Sequence, residues 1–456
     1  MRPMLRLNMH QPTPEEEQIR YESYTRLRQK MHRLVRAEGC DSRRGWVRAF
    51  ERWQYLAKTH EMEHLDTASV PLEPLIPSMA SGNPAGALLI TDLQRLDNMP
   101  EGAAKRVAEQ IVADSARLSR ALAARIQQRV KTASAAVDET ARHGSTEMVA
   151  KVTAAWASAG QVEVSSDQHN GDLRLRLGAQ ATGPLAAAGL ANQLRVFTVG
   201  RARADWLHEQ WRMCVPTTNN DADDGVPARF YEDVFCLLVR YAALEGKGWQ
   251  AAVPRPVFPA LHTHFGVVAE CFASPLNAHL PSYCSLFRDV DASFGSLGSF
   301  FSFHPTEGSF EVNPPFVQQL MVVATDRMEA LLRAATGPMS YAVVVPAWTS
   351  DPHFPRLLTS PYCTGHVVVA AADHAYCDGH QHESSLASGA HLYRPAPFDT
   401  ALFFLQNEAG RARWPLTAAA EADLRRAFQE AQPPAEFVRR QAENGGLYVP
   451  KGRRKE

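Results

Sequence analysis

"GSFEVNPPFVQQLM", residues 308–321, decides how the second half of this chain is read. Its opening, Gly308 to Val312, suits a short buried strand. Pro314 and Pro315 carry no N–H and cannot continue a central strand, so the chain must leave the sheet at Asn313. From Phe316 to Ala335 the residues favour a helix. A strand that stops at a rigid corner and passes into a helix is a strand–helix junction of an α/β fold. In such folds ligands bind beyond the carboxyl ends of the strands.

Working outward, four more short apolar runs flank this one: "FGVVAECF" (265–272), "YAVVVPAW" (341–348), "HVVVAAADH" (366–374) and "TALFFLQN" (400–407). Helical segments lie between several of them. Buried strands alternating with helices predict an α/β sheet, largely parallel. "AAAEADLRRAFQEAQPPAEFVRRQA" (418–442) predicts two short terminal helices.

The first half has a different character. "TPEEEQ" (13–18) combines a cap, a Pro in the first turn and acids where the helix dipole favours them, so residues 13 to about 60 are predicted helical. Residues 66–100 are loop-rich. Residues 100–160 hold few helix breakers and predict long helices. "VEVSSDQHNGDLRLRLG" (162–178) alternates around Asn170-Gly171 and predicts a β-hairpin. The polar breaker "TTNNDADDG" (217–225) marks the expected boundary. Two domains follow: residues 1–222, mainly helical with a small hairpin, and residues 223–456, α/β.

Composition narrows the function. The chain has 456 residues, 45% hydrophobic, with a formal net charge of −1. That allows two or three cores. A near-neutral balance argues against wrapping long nucleic acid by its phosphates. The seven cysteines include no Cys-x-x-Cys pair, which points to a reducing compartment and away from a zinc module. The N-terminal stretch lacks the apolar segment of a secretory signal, and no run of about 18 apolar residues predicts a membrane span. The tail "KGRRKE" reads as a solvated end, with a short nuclear-import signal as the other reading. The expected location is the nucleus, with the cytoplasm as the alternative.

Between Arg20 and Arg52 basic residues outnumber acids, and Tyr21, Tyr24, Trp46, Trp53 and Tyr55 are interleaved with them. Two readings stand: a solvated helix face with core aromatics, or a phosphate-facing surface carrying Arg26 and Arg28.

The Asn-Pro-Pro-Phe corner suits one kind of chemistry. An exocyclic amine on a purine has two N–H donors and a lone pair delocalised into the ring. The side-chain carbonyl of Asn313 and the backbone carbonyl of Pro314 can accept from both donors, freeing the lone pair to point at an electrophile. Phe316 can stack on the ring, and the prolines hold the acceptors still. The alternative is a cis-proline or a tight structural turn.

Four stretches at this spacing, "HFGVVAECFASPLN" (264–277), "FRDVDASFGSLGS" (287–299), "GSFEVNPPFVQQLM" and "YAVVVPAW", resemble the cap-specific adenosine N6-methyltransferase family, the phosphorylated CTD-interacting factor family. The likeness continues through "ADHAYCDGHQH" (372–382) and "FDTALFFLQNEAG" (398–410), covering roughly residues 230–414. The family's WW domain is expected to be lacking. The resemblance implies a Rossmann-like, S-adenosylmethionine-dependent methyltransferase domain behind a helical one. It implies methyl transfer to N6 of the first transcribed adenosine beside a 7-methylguanosine cap, with capped RNA as partner and no metal. Asn313, Pro314, Pro315 and Phe316 inherit the catalytic role, and Asn313 and Phe316 a share in cofactor binding. Glu270 or Asn277 is the candidate for the methionine ammonium, and Asp289 or Asp291 for the ribose hydroxyls. Gln318 and Trp348 are the substrate candidates. Gln318 stands where the family's animal member has Glu, and Pro346-Ala347-Trp348 where it has Pro-Glu-Trp. The rival readings are another DNA or RNA adenine N6-methyltransferase and an inactive cap-binding adaptor.

Three other constellations carry less. "DHAYCDGHQH" (373–382) matches no zinc spacing. "HTH" (262–264) reads as a solvated strand entry. "GSLGS" (295–299) lacks the Lys-Ser/Thr of a P-loop and reads as a turn over the cofactor.

Overall fold

A computed structural model describes residues 11–40, 45–63, 73–79, 84–143, 162–168, 171–178, 196–215, 226–244, 251–377, 379, 381–382, 392–433, 436 and 439. Asn170, Asp378, His380, the 217–225 breaker and the basic tail lie outside them. The chain forms two compact units. One holds residues 1–199 and 207–245; the other holds residues 200–206 and 246–456. The exchange at 200–206 and the docking of 226–244 into the first unit mean that the units are not divided at one point in the chain.

The first unit is built on helices α1 (Pro14–Ala37), α2 (Gly45–Glu63), α3 (Ala85–Asp97) and α4 (Glu101–His143). At its start the Thr13 hydroxyl accepts from the Glu16 N–H, while the Glu16 carboxylate accepts from the Thr13 N–H, with Pro14 in the first turn. Strands β1 (Val162–Ser166), β2 (Leu173–Leu177) and β3 (Phe197–Val199) make an antiparallel sheet in that order. Helix α5 (Arg201–Cys214) contributes its second half, and helix α6 (Ala228–Leu244) packs on α1.

Buried charge ties this unit together. Arg240 donates to both oxygens of Glu17, at 2.8 and 2.5 Å. Arg20 donates to Glu17 and, at 2.9 Å, to Glu73. All four are almost fully buried. Such a knot is costly to bury and holds only because each charge has a partner. Arg20 thus serves the interior, as do Tyr21, Tyr24 and Trp53, which are buried.

The second unit is a mixed α/β layer structure. Its five-stranded sheet has the order β4 (Val267–Glu270), β5 (Gly308–Val312), β6 (Met339–Pro346), β10 (Thr400–Gln406), β7 (Cys363–Val369). β4, β5 and β6 pair in parallel, whereas β10 pairs antiparallel with both β6 and β7. The sheet is therefore mixed: β4, β5, β6 and β7 run one way and β10 alone runs against them. Strands buried on both faces show no alternation, so their direction is not written in the apolar pattern. β8 (Ala375–Cys377) and β9 (Tyr393–Pro395) form a separate antiparallel pair.

Period two sorts the sheet's side chains onto two faces. Phe310, Val312, Tyr341, Val343 and Val345 face helices α9 (Gln318–Ala334) and α10 (His353–Leu358). Ala342, Val344, Leu402 and Phe404 face helices α7 (Val257–Phe265) and α12 (Ala418–Glu430). Short helices α8 (Arg288–Asp291) and α11 (Glu408–Arg413) complete the unit. "HTH" lies in the last turn of α7, not at a strand entry; His264 bonds Asp423 at 2.8 Å. Gly266, at φ +64°, closes α7, and a Cβ there would lie 2.5 Å from Nε1 of Trp414. No described helix is long and apolar enough to cross a membrane.

Candidate active site

The parallel strands β4, β5 and β6 carry Glu270, Asn313 and Trp348 at or just past their carboxyl ends. This is where an α/β sheet opens to ligands.

Asn313 is 7% exposed. Its Nδ2 donates to the carbonyl of Ala251 at 2.9 Å. A carbonyl can only accept, so the amide orientation is set by chemistry and Oδ1 must face the other way. That oxygen is buried and has no hydrogen-bond partner. Unsatisfied buried acceptors are rare because each forfeits its hydration without recompense. Pro314 beside it is buried, and no backbone N–H among the described residues reaches its carbonyl. The Pro315 carbonyl accepts from the Val317 N–H at 2.6 Å, and α9 begins at Gln318. The described peptide bonds are all trans.

Aromatic rings form the wall. Phe316 meets Tyr376 and Phe398 edge-on, each with centroids 5.6 Å apart. Trp348 meets Phe398 edge-on at 5.1 Å and His353 at 6.0 Å. Phe316 and Trp348 are both half-buried, which leaves ring surface for a ligand. Tyr376 and Phe398 were not among the sequence candidates. Each is one aromatic in a strand or loop, and only the fold sets it against Phe316. The Tyr376 hydroxyl bonds Oγ1 of Thr400 at 2.6 Å, and Nε2 of His374 bonds the same oxygen at 2.8 Å. Nδ1 of His374 lies 2.7 Å from the Ala370 carbonyl and must donate to it. Burial holds His374 below the ordinary histidine range and so neutral, which leaves Nε2 to accept from Thr400 and Thr400 to accept from Tyr376.

Of the cofactor candidates, Glu270 is buried, its Oε1 accepting from the N–H groups of His279 (2.8 Å) and Leu280 (2.6 Å). Burial pushes its carboxyl up to about 7, against those two hydrogen bonds and the charge of Arg203. Asn277 folds its Oδ1 onto the N–H and hydroxyl of Ser274, at 2.7 and 2.9 Å. Asp291 is fully buried with Oδ2 accepting from the Phe287 N–H at 3.0 Å, and Asp289 is buried beside it. These residues shape the loops after β4. In "GSLGS", Gly295 and Gly298 take positive φ, and the loop runs back beside Tyr283 and Ser285. Gln318 is half-buried in the first turn of α9.

Arg26 and Arg28 belong to the helical unit. Arg26 is exposed, whereas Arg28 lies 3.6 Å from Glu51 and 6.0 Å from the ring centroid of Trp46. Two residues apart on a helix, they do not share a face. Among the described residues no three His, Cys, Asp or Glu side chains are gathered to hold a metal.

A family model described as "Phosphorylated CTD interacting factor 1 WW domain" matches residues 207–379. The expectation that the WW domain is lacking is thereby overturned. The match runs from within α5 to just past β8. A human protein named mRNA (2'-O-methyladenosine-N(6)-)-methyltransferase is 38% identical over 217 residues, covering 46% of this chain and 30% of its own length. A mouse protein of the same name matches at 38% over 217 residues, with the same coverage. The chain thus spans about 30% of the length of these curated relatives.

Proposed function

We propose that this chain is an S-adenosylmethionine-dependent methyltransferase acting on N6 of the adenosine next to an mRNA cap. The single observation that carries the reading is the buried Oδ1 of Asn313, which lacks a donor at the carboxyl end of β5. The name shared by the human and mouse relatives supplies the substrate class. We further propose that the sheet is of the Rossmann-like class. Its support is the parallel β5–α9–β6 unit, with the ligand-facing corner between β5 and α9.

The residues fit a planar amine. Oδ1 of Asn313 accepts one N6–H and the Pro314 carbonyl the other, so the nitrogen lone pair tilts out of the purine plane. Pro314 and Pro315 hold both acceptors rigid, so no reorganisation is needed as charge develops. Phe316, backed by Tyr376 and Phe398, fixes the ring plane and excludes water. Trp348 offers an aromatic face to the cationic 7-methylguanine. Glu270 would hold the amino-acid end of the donor. When bound, S-adenosylmethionine supplies a methyl group activated on a sulfonium.

The test is methyl transfer from S-adenosylmethionine to adenosine-initiated oligonucleotides, followed by mass spectrometry of the released nucleosides. N6-methylation that requires the 7-methylguanosine cap is expected. Equal methylation of uncapped RNA or DNA would move the substrate to another adenine. Absence of transfer to every adenosine oligonucleotide would end the reading.

A further inference from the structure

Glu311, in the middle of "SFEVNPPF", was not singled out by the sequence, and no step of the chemistry above uses it. It is 2% exposed, and its Oε1 has no hydrogen-bond partner. It sits beside Glu270 in register on the neighbouring parallel strand. Side-by-side residues of parallel strands project to the same side. That side is shown by Ala342, the next residue across the sheet, which belongs to the core under α7 and α12. Two carboxyls therefore lie together, buried, at the carboxyl ends of β4 and β5. Asn313, two residues further along, turns its own unpartnered Oδ1 away from Ala251 at the same strand end.

Buried carboxylates are ordinarily matched by a cation. Here, among the described residues, no Lys, Arg or His forms an ion pair with Glu270 or Glu311. Arg203 acts on Glu270 from a distance but spends its guanidinium on the carbonyls of Pro275 (3.3 Å) and Ala278 (3.0 Å). The other titratable groups that bear on the site are Arg255 and His279 on the α7 side, Tyr283, Cys271 and Cys284 on the strands and loop after β4, and Tyr376 and Cys377 on β8. None supplies Glu311 with a hydrogen-bonded cation. The site has an acceptor surplus that a compact, donor-rich cation would satisfy.

We propose that Glu311, together with Glu270, forms a two-carboxylate receptor for the α-ammonium of the methyl donor, and that closing this contact expels a proton to solvent. The identity of the cation rests on the methyltransferase reading above; the acceptor surplus does not. Burial holds both carboxyls above their ordinary range, and the charge of Glu270 raises Glu311 further, so part of the pair is protonated near neutrality. An arriving ammonium favours both carboxylates, and the displaced proton leaves to the buffer.

The experiment is calorimetry of the full chain at pH 7 with S-adenosylhomocysteine and with 5'-methylthioadenosine, which lacks the amino-acid end. Each titration is run in two buffers of different ionisation enthalpy. Wild type should release on the order of one proton with S-adenosylhomocysteine and none with methylthioadenosine. Glu311→Gln should weaken S-adenosylhomocysteine roughly ten- to hundredfold and abolish the release, leaving methylthioadenosine unchanged. Binding by wild type without proton release overturns the receptor, whatever the variant does. So does a Glu311→Gln protein that keeps wild-type affinity and release, or one that loses both nucleosides equally. If wild type binds neither compound, the methyltransferase reading itself fails, and the receptor with it.

Discussion

At the scale of single residues, the corner after β5 turns on one oxygen. Ala251 fixes the Asn313 amide, so replacing Asn313 with Ala removes an acceptor already aimed. We expect Asn313→Ala to lower kcat about 10²–10³-fold, by analogy with removal of one preorganised oxyanion-hole donor. S-adenosylhomocysteine affinity should change far less. Wild-type turnover in that variant would make the corner structural. Trp348 is a separate matter. Its ring is half-buried against Phe398. A stacked, desolvated 7-methylguanine gains on the order of 2 kcal/mol, about thirtyfold. Trp348→Ala should therefore weaken binding of capped oligonucleotides while sparing that of uncapped ones. An equal loss for both would assign Trp348 to packing instead.

At the scale of elements, β4 and β5 present an unusual pH dependence. The folded pKa of Glu270, about 7, lies above its ordinary 4.5, and that of Glu311 is also raised. The folded protein then holds protons that the unfolded chain has released. Stability from this source is complete below pH 4.5 and is lost as pH rises through 7. For Glu270 alone the loss is on the order of 3 kcal/mol. His279, His353 and His374, held low by burial, act in the opposite sense at acid pH. The comparison with Glu311→Gln isolates the pair. The ligand-free variant should lose less stability than wild type between pH 5 and pH 8, followed by chemical denaturation. Parallel curves would show that Glu311 is not held above its ordinary range. Gly266 makes a second case at this scale. A side chain there meets both the left-handed backbone and the Trp414 ring. Gly266→Ala should cost roughly 1–3 kcal/mol in urea unfolding.

At the scale of the whole molecule, the chain's near-neutral charge hides a division of labour among its basic residues. Arg20 and Arg240 neutralise Glu17 inside the helical unit, and Arg52 lies 3.2 Å from Asp92. Removing Arg20 leaves Glu17 and Glu73 short of a partner, and Arg20→Ala should destabilise the protein by about 3–5 kcal/mol. Arg26 is exposed, and a role for it on RNA phosphates remains a proposal. Arg26→Glu should then flatten the logarithmic salt dependence of capped-RNA binding by about one unit of slope. An unchanged slope would remove Arg26 from the RNA surface.

Several features were legible in the sequence because they are local. Two prolines after an apolar run end a strand wherever they occur, and Asn313 stands at that end. Thr13, Pro14 and Glu16 cap a helix by contacts within four residues. The apolar runs at 267–270, 308–312, 339–346, 363–369 and 400–406 are all strands. Strand direction was not legible, because a run buried on both faces reads the same either way; only the placement of β10 between β6 and β7 reversed it. Nor was the burial of Arg20, whose partner Glu73 is 53 positions away. Tyr376 and Phe398 join Phe316 only once the sheet is assembled. Glu311 looked like one polar residue in a strand. It became half of a carboxyl pair because parallel pairing set it beside Glu270, a contact that no spacing along the chain encodes.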